Sequence, residues 1–162
     1  MFDDPGAAAD KIQALGLDEV LARAQRAVAA LSVDIVYAGF SNGGVCAELL
    51  AATRPGARGA ILMHAPLPIR ALGWHQWPLT CPVQVHFAEK DSLRQPAVID
   101  ALAKKVRQAG APFQQCHYAG SGHCFGDPGR PGSNEVATDQ MFERVCDFLA
   151  RVAKADHVSV AR

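Results

Sequence analysis

The chain has 162 residues, 49% of them hydrophobic, and its 16 Lys and Arg balance 16 Asp and Glu, so it reads as a single domain over residues 1–162. A chain of this mass buries roughly 70% of its extended surface, enough for one real core. Zero net charge without a Lys/Arg cluster argues against a grip on nucleic acid or anionic lipid, and no run approaches the roughly 18 apolar residues of a membrane span. The opening MFDDPGAAAD has no apolar leader core. Cys46, Cys81, Cys116, Cys124 and Cys146 are odd in number and lack metal-finger spacing, so a reducing cytoplasm is the expected location.

In chain order, a lead-in over residues 1–16 holds a short helical stretch, Ala7 to Leu15. Leu17 to Leu31 then places Val20, Leu21, Ala24, Val28 and Leu31 on one helical stripe. Val33 to Ala38 is mostly apolar, as expected of a strand covered on both faces. A glycine-rich turn leads into a helix over Gly44 to Arg54, which Pro55 and Gly56 stop. Ala60 to Ala65 is the second strand. A loop rich in Pro, Trp and Gly follows, then a third strand over Val83 to Phe87. Pro96 to Gln108 forms a helix with Val98, Leu102 and Val106 on its stripe, begun by a proline and ended at Gly110. Phe113 to Tyr118 is the fourth strand. The last helix, about Asn134 to Lys154, aligns Phe142, Val145, Cys146, Leu149 and Val152, and residues 155–162 form a polar tail. Strand and helix alternate, so right-handed crossovers give an α/β fold with a parallel sheet between helical layers.

The turn after the first strand reads Gly39-Phe40-Ser41-Asn42-Gly43, the G-x-S-x-G pattern of a nucleophile elbow, and it lies between an apolar strand and a helix. Such a turn strains the serine backbone to lift the hydroxyl clear of the sheet, and glycines two residues before and after relieve crowding. The N–H of Asn42, at the start of the next helix, then faces a developing oxyanion. The bland reading is a glycine turn that connects two elements or holds a phosphate, but there is neither G-x-G-x-x-G nor a lysine after the glycines. A serine needs a base and the base an orienting carboxylate. Asp91 after the third strand is the expected acid, with Glu89 in reserve, and His123 in the loop Gly120-Ser121-Gly122-His123 is the expected base.

His86, His117 and His157 read as structural. His64, at the carboxyl end of the second strand, is either a satisfied buried histidine or part of the pocket wall. Phe40, His64 and Trp74 are the substrate-pocket candidates, while Trp74 and Trp77 equally suit a small apolar cluster under a loop. Cys46 and Cys146 fall on helix stripes as small core residues, although a thiol-dependent enzyme using Cys46 or Cys124 is a further possibility. No metal site is expected, since Cys116-His117 and His123-Cys124 fit no standard spacing.

Three runs, YAGFSNGG, VQVHFAEKD and YAGSGHCF, in that order, resemble the dienelactone hydrolase family of α/β-hydrolases, over about Asp18 to Arg151. The resemblance implies a three-layer α/β-hydrolase sandwich with a mainly parallel sheet, a triad of Ser41, Asp91 and His123, and hydrolysis of carboxylic esters or lactones without a cofactor. Founding members of the family carry a cysteine nucleophile where Ser41 stands, so a general esterase-like activity is the expectation here. No arginine matches the family's substrate-carboxylate anchors. The elbow of a complete α/β-hydrolase follows the fifth strand, whereas one helical stretch and one helix precede it here, so about four strands are expected and the fold is shortened at its N-terminus. The loop that supplies a second oxyanion N–H would go with the missing strands, at a cost on the order of 100- to 1000-fold in rate. The first strand would then present an open edge, suited to a homodimer. Two functions stand side by side: a serine hydrolase of small-molecule esters or lactones, and a truncated or degenerate hydrolase domain that binds or dimerises with little turnover.

Overall fold

The alternation of apolar runs with helical stripes is realised as a parallel sheet whose carboxyl ends carry the residues singled out above. A computed structural model describes residues 10–11, 14–65 and 76–159, which fall into two compact units divided between Ser32 and Val33. The first unit holds helix α1, Leu17–Val28, which follows Gly16 at φ 75°. Asp18 and Glu19 sit in its first turn, where the helix dipole favours them, and Glu19 accepts hydrogen bonds from Arg23 and Arg26 on the exposed face. The helix stops short of Leu31 because its last turn tightens: the Ala29 N–H bonds the Arg26 carbonyl. Most of the helical stretch expected over Ala7 to Leu15 lies outside the described residues.

The second unit contains β1 (Ile35–Phe40), α2 (Asn42–Thr53), β2 (Ala57–Met63), β3 (Val83–Ala88), α3 (Pro96–Gln108), β4 (Phe113–Tyr118) and α4 (Glu135–Ser159). The sheet order is β1-β2-β3-β4 and every pair is parallel, with Phe40 opposite Met63, Met63 opposite His86 and Ala88 opposite Tyr118. This is the expected α/β fold. All six residues of β3 are buried, the continuous run of a strand covered on both faces. β1 departs from the expectation of cover on both faces, only Tyr37 being buried and Phe40 40% exposed, and agrees with the expectation of an open edge: it is an edge strand of the described sheet. Ile61 and Met63 of β2 join Met141 and Phe148 of α4 in one core cluster, and each such side chain fully buried contributes about 1.5–3 kcal/mol.

Two further boundaries move for identifiable reasons. β2 ends at Met63, before the expected Ala65, because His64 takes a left-handed backbone, φ 57°, that no strand contains. α4 continues past Lys154 to Ser159, absorbing part of the expected tail, since no Gly or Pro interrupts Ala155 to Ser159. The face of α4 is also rotated. Ala137, Met141 and Phe148 are buried with Val145 and Val152 packed beside them, whereas Phe142, Cys146 and Leu149 are exposed. The period is helical as expected, but its phase is set by the sheet, so Cys146 is not a core residue. Among the described residues no helix is long and apolar enough to cross a membrane.

Candidate active site

β1 ends at Phe40 and α2 begins at Asn42, so Ser41 alone makes the turn, at φ 49° and ψ −118°. Its N–H donates to the Met63 carbonyl at 2.7 Å, tying the turn to the end of β2. A Cβ on Gly39 would fall 2.2 Å from the Gly43 carbonyl, so only glycine fits there. The expectation for Gly43 needs correcting: a Cβ there meets nothing within 4 Å, while on Gly44 it would lie 2.6 Å from the Ala65 Cβ. The crowded positions are therefore 39 and 44, because α2 packs back onto the segment after β2 through Gly44. Among described non-glycine residues, positive φ occurs at Ser41, His64 and Cys124, all three at this end of the sheet. Such backbone costs on the order of 1–3 kcal/mol each and gathers where function requires it.

Asp91 lies in the turn after β3, with its N–H on the Ala88 carbonyl. Its Oδ1 accepts the Leu93 N–H at 2.8 Å, and its Oδ2 faces two imidazole nitrogens, Nδ1 of His123 at 2.8 Å and Nδ1 of His64 at 3.0 Å. Burial by itself would raise the carboxyl, but the hydrogen bonds from His123, Leu93 and His64 outweigh it and hold Asp91 below its ordinary 3.8. Glu89, the reserve acid, is exposed.

His123 completes the line, with Nε2 at 3.1 Å from Ser41 Oγ. Its loop is tied down on both sides. The Lys90 N–H donates to the Ser121 carbonyl, which links the acid's turn to the histidine's loop. Asn134 caps α4 by accepting the Ala137 N–H at 3.0 Å and donates to Ser121 Oγ at 3.0 Å. Phe125, 1% exposed, plugs the loop into the core beside Tyr118 and His64. His123 is pushed up to about 9, first by a hydrogen bond with the neighbouring Cys124 side chain, against the opposing effect of burial, and further by Asp91.

A cleft of about 350 Å³ opens beside Ser41, lined by Asn42, Val45, Ser92, Leu93 and Gln95 among others. A second, of about 430 Å³, lies on its other side between Phe40, Cys124, Asp127 and Arg130. Phe40 and Asn42 thus border the serine. His64 belongs to the wall of the first cleft, but its side chain is closed from solvent and turned onto Asp91. Trp74 lies outside the described residues; Trp77 is buried and donates its indole N–H to the Cys81 carbonyl at 2.6 Å. His64, Asp91 and His123 bring three atoms capable of holding a metal within 4.8 Å of one another, and the three residues are joined by the hydrogen bonds on Asp91. Cys116 and His117 alternate across β4, one buried and one exposed, so they share no cage. Burial pushes the thiols of Cys46, Cys81 and Cys116 up, Cys81 to about 12, which makes them poor nucleophiles. Sequence reasoning missed Asn134, Ser121 and the bond between His64 and Asp91. Asn134 immediately before a helical stripe was a readable cap signal, whereas the other two needed the fold.

Residues 3–153 match the dienelactone hydrolase family. The chain belongs to that family. Membership in the dienelactone hydrolase family places it among hydrolases of small molecules. No individually curated protein matches it. Among solved structures it is similar to a dienelactone hydrolase-like promiscuous phosphotriesterase from metagenomic libraries, at 21% identity and TM-score 0.72, over 92% of this chain and 69% of that one. It is also similar to a thermophilic esterase of Thermogutta terrifontis with propionate bound, at 19% identity and TM-score 0.61, over 83% of this chain and 64% of that one. At these identities the likeness establishes the dienelactone hydrolase fold.

Proposed function

We propose that the protein hydrolyses small carboxylic esters or lactones through an acyl-enzyme on Ser41. The observation that carries this reading is the unbroken line from Ser41 Oγ to His123 Nε2 at 3.1 Å and from His123 Nδ1 to Asp91 Oδ2 at 2.8 Å. His123 Nε2 takes the hydroxyl proton as Oγ bonds to the carbonyl carbon, and Asp91 balances the imidazolium that forms. The oxyanion faces the Asn42 N–H at the amino end of α2, where the helix dipole adds to the hydrogen bond. Collapse breaks the bond to the alcohol oxygen, which leaves with the proton from His123. A water then gives its proton to His123, attacks the acyl carbon and frees the acid, and Ser41 recovers its proton. The two clefts flanking Ser41 suit the two arms of an ester, and their few hundred cubic ångströms favour small ones.

A weakly active domain that binds rather than turns over is the second reading. The chain spans 69% and 64% of the two solved neighbours above. Hydrolysis of p-nitrophenyl acetate by wild type and Ser41→Ala separates the two readings. A fall of at least about a hundredfold is expected in the variant, together with fluorophosphonate labelling that maps to Ser41. Equal rates in a folded variant, or a folded wild type that never labels at Ser41, would overturn the first reading.

A further inference from the structure

Asp91 carries two imidazoles, and the mechanism above uses one. The second belongs to His64, whose side chain is fully closed from solvent. It packs edge-on against His123, with ring centroids 5.0 Å apart, and against Phe125 at 5.3 Å. Its Nδ1 lies 3.0 Å from Asp91 Oδ2, and its Nε2 is buried without a hydrogen-bond partner among the described residues. An ionised carboxylate only accepts, so the ring proton sits on Nδ1. A second proton on Nε2 would be a buried donor with no partner among the described residues, which disfavours the charged ring. Burial also lowers the His64 pKa, with Asp91 partly opposing.

The backbone is shaped for this contact. His64 directly follows β2 in a left-handed conformation, φ 57°, and its N–H is held by the His86 carbonyl at 3.0 Å. Oδ2 therefore receives two N–H donors while Oδ1 receives a third from Leu93. Rotating the carboxylate would disturb all three. An oxygen already shared by two donors is also a weaker partner for either one alone.

We propose that His64 is a positioning residue for the acid of the triad: a neutral Nδ1–H donor that locks the Asp91 carboxylate and, by sharing Oδ2, moderates the basicity of His123. This inference rests on the Ser41–His123–Asp91 reading. Among the described residues, the other titratable groups acting on the cluster are Cys124, beside His123 in the same loop, and His86, from β3.

The test compares His64→Asn with His64→Phe in pH profiles of kcat/KM, with thermal melts to establish folding. Asparagine tolerates positive φ and offers an N–H at the same reach; phenylalanine fills the ring volume and offers none. His64→Asn is expected to keep the acidic limb of wild type and a kcat within about threefold of it. His64→Phe is expected to move the limb up by about half a unit to one unit and to lower kcat about tenfold. A folded His64→Phe with the wild-type limb and kcat, or a His64→Asn that behaves like His64→Phe, would overturn the proposal. Nitrogen-15 histidine spectra of Ser41→Ala give a readout independent of turnover and of the folding of the His64 variants. They should show His64 protonated on Nδ1 and bare on Nε2 at neutral pH, and the opposite tautomer or a charged ring sinks the idea. Failure of the parent reading looks different: Ser41→Ala would then turn over ester at the wild-type rate.

Discussion

Cys124 follows His123 directly, stands at φ 56° and lines the second cleft beside Ser41. Its side chain is the foremost reason that His123 is pushed up to about 9 from an ordinary 6.5, ahead of Asp91. In the proposed mechanism His123 must be neutral to take the serine proton, so a raised value holds the base protonated until the pH climbs. Cys124→Ala should therefore shift the rising limb of kcat/KM to lower pH, toward the ordinary histidine range, in a pH profile with p-nitrophenyl acetate. A limb that stays in place would show that Cys124 does not hold the proton on His123. At this scale the sequence was informative about identity and silent about contact. Ser41, Asp91 and His123 follow from the elbow pattern and strand ends, but that Cys124 acts on His123 and His64 on Asp91 depends on left-handed turns no spacing reveals.

The elbow makes a contrast between neighbouring glycines at the scale of elements. Gly43, in the first turn of α2, has open space where a Cβ would go, whereas Gly44 faces the Ala65 Cβ at 2.6 Å and the Gly39 carbonyl oxygen at 3.0 Å. Gly43→Ala should be neutral to stabilising by up to about 1 kcal/mol, as expected of alanine in a helix. Gly44→Ala should lose about 1–3 kcal/mol by overpacking, read by urea unfolding. Equal losses at the two positions would mean that the close approach of α2 to the segment after β2 is wrongly described. The motif reading chose Gly43 because the pattern names it; packing selects Gly44, since the helix axis and not the motif decides which backbone atom comes closest.

At the scale of the whole molecule, a polar network runs through the core behind the candidate site. His86 is fully buried, with Nδ1 2.8 Å from the Tyr118 hydroxyl and Nε2 2.8 Å from Gln84 Oε1, and Gln84 donates to the Arg144 carbonyl and to Gln114. The Arg144 guanidinium lies 4.9 Å above the Tyr118 ring. Burial first, and then the Arg144 charge, lowers His86 from 6.5 to about 4. Between those two values the unfolded chain binds a proton that the folded one refuses. Stability is thus lost as the pH falls from about 6.5 to about 4, by on the order of 3 kcal/mol from this group. His64, lowered by burial, acts in the same direction, while Asp91 adds its loss only below 3.8. His123, raised to about 9, works on the other side: its contribution is present below 6.5 and fades as the pH rises through 9. Urea unfolding across this range should show greatest stability near pH 6.5, and a flat response between pH 7 and 4 would contradict a neutral, buried His86.

By itself the sequence determined the α/β class and the order of elements, and it singled out the three residues of the proposed triad. Apolar runs and helical stripes are local, and the nucleophile elbow is a local strain with a local glycine requirement at Gly39. It also determined the period of α4, but not its phase: Met141 and Phe142 are adjacent apolar residues, and only contact with Ile61 and Met63 decides that Met141 is buried and Phe142 exposed. The crowding at Gly44 and the second imidazole on Asp91 were decided by tertiary structure alone. Each is a distance between segments far apart in the chain, and no short-range pattern encodes it.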